Sequence, residues 1–156
     1  MKKLIKLISI IVVVIGLIVF ISFVNHKIKL KDEDSLFKTN GKIVEVNGHH
    51  LNVYLSGNPN SDFTIVFMSG AGTCSPTLDF KTLYSLFEKD YQIAVVEKAG
   101  YGFSDISDIS RDIDTILFET RESLNQAGVI NHKYILFPHS MSGIEVLYWA
   151  NKYPGE

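Results

Sequence analysis

The sequence predicts an α/β fold: a mostly parallel sheet with flanking helices, preceded by a transmembrane helix. Two observations carry this. Short apolar runs alternate with segments of helical period along residues 63–152, and an 18-residue aliphatic stretch from Leu7 to Val24 is broken only by Ser9, Gly16 and Ser22. Alternation of strands and helices implies parallel strands joined by right-handed crossovers.

The organisation reads as an anchor over 1–26, a polar linker over 27–40 and a folded domain over 41–156. The aliphatic stretch approaches the roughly 20 residues that cross a bilayer. Lys2, Lys3 and Lys6 precede it, and His26, Lys27, Lys29 and Lys31 follow. A cleaved secretory signal is the competing reading, but no Ala-x-Ala-like site closes the run, which exits through Phe23-Val24-Asn25-His26. A retained single-pass anchor is therefore expected, with the lipid bilayer as partner and the domain on the extracytoplasmic side. A net charge of −2 gives no reason to expect nucleic acid. The lone Cys74 excludes an internal disulfide, and neither cysteine pairs nor His-Glu-x-x-His spacing suggests a metal.

Within the domain, Lys42–Val46 and Leu51, Val53 and Leu55 alternate about Asn47-Gly48, the pattern of a β-hairpin. His49 and His50 are then expected at a solvated tip. Phe63–Met68, Gln92–Val96 and Tyr134–Phe137 are continuous apolar runs, as buried strands require. Phe80, Leu83, Tyr84 and Phe87 recur at helical spacing within 78–88. Ile113, Ile116, Leu117, Leu124 and Ala127 line one side of a second helix, with Asp112 and Asp114 suiting its first turn and Gly128 its end. Ser142–Lys152 is apolar on most faces and calls for cover by neighbouring structure.

Sites in such sheets form at the carboxyl ends of the strands. Three segments lie there: Ser69-Gly70-Ala71-Gly72, the run Glu97–Asp105, and Pro138-His139-Ser140-Met141-Ser142-Gly143. A serine on a sharp turn between a buried strand and a helix is exposed for attack, and the helix start offers backbone N–H groups to a developing oxyanion. Ser140 is the candidate nucleophile, and the N–H groups of Ala71 and Met141 are the candidate oxyanion donors. Pro138 and Ser142 stand where Gly-x-Ser-x-Gly has its glycines. The 97–105 run is expected to be chiefly structural, with Tyr101 and Phe103 able to line a pocket. Neither His139, adjacent to Ser140 on a sharp turn, nor Glu145, read as a surface or structural carboxylate, is expected to serve as base.

With these motifs assembled, residues 41–156 resemble the N-terminal half of an α/β-hydrolase fold enzyme. Ser69-Gly70-Ala71-Gly72 stands where that family has His-Gly-x-Gly, Glu97–Asp105 is similar to its Asp-x-x-Gly-x-Gly-x-Ser segment, and Pro138–Gly143 to its Gly-His-Ser-Met-Gly-Gly. The resemblance implies Ser140 as nucleophile, Ala71 and Met141 N–H groups as the oxyanion hole, no metal and no organic cofactor. A small-molecule acyl substrate, an ester or amide, is implied by serine at the elbow.

The family's acid and histidine follow the serine in chain order. Here 16 residues follow Ser140, and all five histidines precede it. Three readings stay open: a partial record of a membrane-anchored serine hydrolase, a non-catalytic remnant or interaction module, and one half of a split enzyme completed by a second chain. In the whole family fold the strand 134–137 would sit mid-sheet; in this chain by itself it is expected at an open sheet edge. The isolated soluble part is expected to melt broadly or aggregate; a sharp, cooperative thermal transition by circular dichroism would contradict this.

Overall fold

A computed structural model describes residues 2–33, 36–129 and 133–156. They fall into two units, 1–38 and 39–156. In the first, helix α1 (Lys2–Glu33) spans 32 residues, all of them exposed. The helix runs beyond the expected anchor boundary at residue 26, so much of the presumed linker is helical. Asp34 and Ser35 of that linker, and His132 among the histidines, lie outside the described residues.

The second unit is built on a five-stranded sheet of order β1-β2-β4-β3-β5. Strands β1 (Lys42–Val46) and β2 (His49–Gly57) pair as an antiparallel hairpin. Asn47 and Gly48 both have positive φ, 54° and 77°, as a two-residue turn matched to strand twist requires. Strand β2 also runs antiparallel to β4 (Gln92–Glu97), whereas β3 (Thr64–Met68) lies parallel to both β4 and β5 (Tyr134–Pro138). Every residue of β3 and β4 is buried, which accounts for their unalternating apolar sequence.

Side chains of β3 alternate between two cores. Val66 and Met68 join Val53, Val96, Leu117, Leu124 and Trp149 on one face. Ile65 and Phe67 join Ile93, Val95, Phe80 and Tyr84 on the other. The first face is covered by α4 (Ile113–Ala127) and α5 (Ser142–Lys152), the second by α2 (Pro76–Asp79) and α3 (Lys81–Tyr84). Gly128 closes helix α4 at φ 94°, as expected, whereas Asp112, expected in the first turn, is its N-cap: the carboxylate accepts from Thr115 N–H at 2.8 Å.

Two expectations are corrected. The segment 78–88 is not one helix. Phe80 ends α2 and begins α3, and beyond Tyr84 the N–H groups of Leu86 and Phe87 bond three residues back, to Leu83 and Tyr84. Periodicity identified the buried residues, but tight turns deliver Phe80 and Tyr84 onto Phe67, at ring distances of 5.4 and 6.1 Å. His49, expected at a solvated tip, is buried because α4 brings Glu119 against the hairpin. Its Nε2 lies 3.4 Å from Glu119 Oε1, while Arg111 Nη1 donates to Glu119 Oε2 at 2.7 Å. His50 does stay exposed, paired with Asp105.

Strand β5 is at the sheet edge, as expected, with Ile135 and Phe137 partly bare. On α5 only Ser142, Glu145 and Trp149 are buried; Ile144 and Leu147 are 62% and 74% exposed, so the cover that its composition calls for is absent among the described residues.

Candidate active site

Strands β3 and β5 are neighbours, yet the chain leaves them toward opposite faces of the sheet: β3 leads to α2 and α3 on one face, and β5 to α5 on the other. Such a reversal opens a crevice at the carboxyl ends of the two strands. The loops carrying Ala71 and Ser140 leave from these ends.

At the end of β5, Pro138 sits opposite Met68, and the ladder closes with His139 N–H donating to Met68 O at 3.0 Å. Ser140 then takes φ 57°, the left-handed region that L-residues rarely occupy. Strain of this kind, about 1–3 kcal/mol, persists where surroundings over-determine the turn. Here they do. Gly143 and Ile144 N–H groups bond back to Ser140 O and Met141 O at 3.1 Å, starting α5 immediately. The fully buried Ser142 hydroxyl accepts from His139 N–H at 2.8 Å and lies 2.7 Å from Met68 O and 2.9 Å from His139 O, donating its single proton to one of them. Ser142 thus does more than substitute for a small residue: it ties the elbow to β3.

Close approach is enforced from the β3 side as well. A Cβ on Gly70 would come 2.8 Å from Ser140 Cβ and 2.9 Å from His139 O. By contrast, a Cβ on Gly143 meets nothing within 4 Å. The glycine that lets two segments meet at this elbow is therefore Gly70.

Ser140 is exposed, and among the described residues its Oγ has no hydrogen-bond partner. The His139 ring packs edge-on against Phe80, with 6.2 Å between ring centroids. Ala71 and Met141 line a common cavity of about 300 Å³ together with Lys98, Tyr101, Arg111 and Glu145. Among the described residues, neither the Ala71 nor the Met141 N–H donates to a protein acceptor. Phe103, a candidate pocket residue, is 41% exposed and does not line this cavity. No group of three or more His, Cys, Asp or Glu is placed to hold a metal ion among the described residues.

The 97–105 segment braces these loops. Glu97 is fully buried and accepts from Asn52 Nδ2 at 3.0 Å, Phe103 N–H at 2.7 Å and Thr77 N–H at 3.4 Å. Gly102, at φ 53°, must lack a side chain because a Cβ would overlap the Glu97 carboxylate. Tyr101 Oη accepts from Gly72 N–H at 3.0 Å, joining this segment to the loop after β3.

Sequence reading passed over Lys98 and left Glu145 as either a surface or a structural carboxylate; the structure shows it buried. Lys98 Nζ donates to Glu145 Oε1 at 2.5 Å and to Ser69 O at 2.8 Å, with both side chains only 11% exposed. Burial holds the Lys98 ammonium below its ordinary pKa; Glu145 opposes this, and Arg111 adds to it. One signal was present in the sequence: Glu145 lies at helical spacing between Ser142 and Trp149, on the buried face of α5.

The glycine contacts make a prediction. Gly70→Ala should lower stability by about 1–3 kcal/mol through overpacking, whereas Gly143→Ala should raise it by up to about 1 kcal/mol through helix propensity. Urea titrations of the detergent-solubilised chain check both signs; equal effects at the two positions would contradict the geometry.

No family model matches the chain. The uncharacterized protein YbdG of Bacillus subtilis (strain 168) is 45% identical over 155 residues, 99% of this chain and 47% of that protein. The chain thus spans about half the length of this curated relative. Among solved structures, a hydrolase from Pseudomonas aeruginosa PA01 is similar at TM-score 0.66 and 15% identity, over 76% of this chain and 43% of that one. The thioesterase domain from the curacin biosynthetic pathway gives 0.61 and 18%, again over 76% and 43%. An α/β hydrolase fold protein from Burkholderia ambifaria gives 0.59 and 15%, over 72% and 39%. At such identities the likeness is one of fold, and it agrees with the strand order and the strand–turn–helix at Ser140: the chain has an α/β-hydrolase-like fold.

Proposed function

We propose that Ser140 is the nucleophile of a membrane-anchored serine hydrolase acting on carboxylic esters or amides. The observation that carries this reading is the placement of Ser140, in left-handed backbone at a strand–helix turn and next to Met141, which lines a cavity with Ala71. Ser140 itself is not among the cavity's lining residues, and among the described residues the Ala71 and Met141 N–H groups have no protein acceptor. In this reading Ser140 Oγ attacks the acyl carbon while an imidazole takes its proton. The former carbonyl oxygen becomes an oxyanion held by the Ala71 and Met141 N–H groups. Each donor of this kind is worth about 3–4 kcal/mol of barrier. The alcohol or amine leaves with the proton, and water then hydrolyses the acyl-enzyme by the reverse proton path. The imidazole and its carboxylate are assigned to polypeptide outside this span, either continuous with it or on a completing chain.

A second reading, a non-catalytic interaction module, is favoured by the lack of any partner for Ser140 Oγ among the described residues and by the bare β5 edge. Fluorophosphonate labelling separates the two. It is applied to the chain itself and to a chimera in which this chain replaces the matched residues of YbdG. The hydrolase reading expects labelling in the chimera that Ser140→Ala abolishes. Absence of labelling in both proteins, or labelling indifferent to Ser140→Ala, contradicts it.

For α1 we infer a retained anchor. The 32-residue helix is about 48 Å long at 1.5 Å per residue, against about 30 Å of hydrocarbon. It is long and apolar enough to cross a membrane, and the lysines near both ends can extend to the headgroups. Ser9 Oγ bonds Ile5 O within the helix, so its hydroxyl asks nothing of lipid. The protein should stay in the membrane pellet after alkaline carbonate washing, and protease added to intact cells should cleave the domain. A soluble product whose N-terminus lies beyond residue 24 would instead identify a signal sequence.

A further inference from the structure

Two consecutive carbonyls at the end of β3 are tied to α5 by side chains. Met68 O is 2.7 Å from the Ser142 hydroxyl. Ser69 O receives the Lys98 ammonium, which also grips Glu145 in the first turn of α5. Lys98 itself stands on the segment after β4. One buried ion pair therefore joins three separate pieces of chain: the loop leading to Ala71, the loop after β4, and the helix that begins beside Met141.

The amide linkage explains why this matters. The Ser69 carbonyl and the Gly70 N–H belong to one rigid peptide plane, so holding the carbonyl fixes the direction in which the chain departs toward Ala71. Glu145 follows Met141 by four residues, about one helical turn, and is mostly buried although it lines the same cavity. Its Oε2 has no protein partner among the described residues and is closed to solvent. Among those residues its polar partner is Lys98.

We propose that Lys98 and Glu145 are positioning residues, which set the spacing between the Ala71 and Met141 amides through the Lys98–Ser69 hydrogen bond. This rests on the reading of those amides as oxyanion donors. Neither residue touches substrate in this account. Their effect on rate would come from donor placement, where displacements near 1 Å cost on the order of 100-fold.

Removing Lys98 alone would strand a buried carboxylate, so the informative variant is Lys98→Met/Glu145→Met, which replaces the pair by apolar groups of similar length. Glu145→Gln keeps an oxygen acceptor for Lys98 and serves as the rescue control. The first readout uses the full 156-residue chain in detergent, labelled with carbonyl-¹³C serine and ¹⁵N glycine. The sequence has three Ser-Gly peptides, at 56–57, 69–70 and 142–143, so Ser69–Gly70 is read directly with Ser56–Gly57 as an internal reference. The second readout is the rate of fluorophosphonate labelling of the chimera.

The expected result is a shift of the Ser69 carbonyl and Gly70 amide signals in the double variant, an unchanged melting temperature of the chimera carrying it, and labelling about 10- to 100-fold slower, with Glu145→Gln close to the parent. Unmoved Ser69–Gly70 signals overturn the proposal. So does a parental labelling rate in the double variant when Ser140→Ala abolishes labelling, a result that leaves the hydrolase reading intact. If the parent chimera is not labelled, the hydrolase reading falls and with it the proposed catalytic role of the pair, even where the carbonyl signal shows that the contact exists.

Discussion

The site depends on how closely the end of β3 meets the turn after β5. At the contact between Gly70 and Ser140 there is room for a hydrogen but not a methyl group: a Cβ on Gly70 would fall 2.8 Å from that of Ser140. The parallel pairing of β3 with β5 brings these segments side by side, and the register from Thr64–Tyr134 to Met68–Pro138 ends both strands at the same level. The His139 N–H bond to Met68 O carries the ladder to the last residue before Ser140. Such a contact leaves little slack, and the left-handed backbone of Ser140 is the conformation that turns the chain away from β3 while leaving its hydroxyl exposed.

Polar side chains rather than apolar packing secure this contact. The Ser142 hydroxyl reaches Met68 O, Lys98 reaches Ser69 O, and Glu97 collects N–H groups from Phe103 and Thr77. Buried polar groups of this kind are costly when unpaired and specific when paired. They suit a region where loops of irregular backbone must hold one geometry. The apolar cores on the two sheet faces supply the platform, and Phe67, ringed by Phe80, Tyr84 and Phe137, links the platform to the edge strand.

Much of this was readable from sequence, for local reasons. Asn47-Gly48 specified its own turn, Asp112 and Gly128 specified the ends of α4, and the apolar runs of β3 and β4 reflected burial on both faces. The elbow was legible because strand, serine and helix are contiguous. What was illegible depended on distant partners. Lys98 and Glu145 are 47 residues apart, and nothing near either residue indicates the other. His49 looked like a tip residue because Glu119, which covers it, belongs to a helix some 70 residues later. The Ser142 hydroxyl was read by size alone, since its acceptor on β3 is 74 residues away. The helical period at 78–88 failed differently: it reported the buried face correctly but could not distinguish one helix from successive short turns.

In the proposed function the Ser140 turn, the Ala71 amide and the Met141 amide form one site. The decisive test is a crystal structure of the chimera after reaction with a fluorophosphonate. Phosphorus bonded to Ser140 Oγ is expected, with one phosphonyl oxygen about 2.7–3.1 Å from both the Ala71 and Met141 nitrogens. An adduct on another residue, or a phosphonyl oxygen that reaches neither amide, would contradict it.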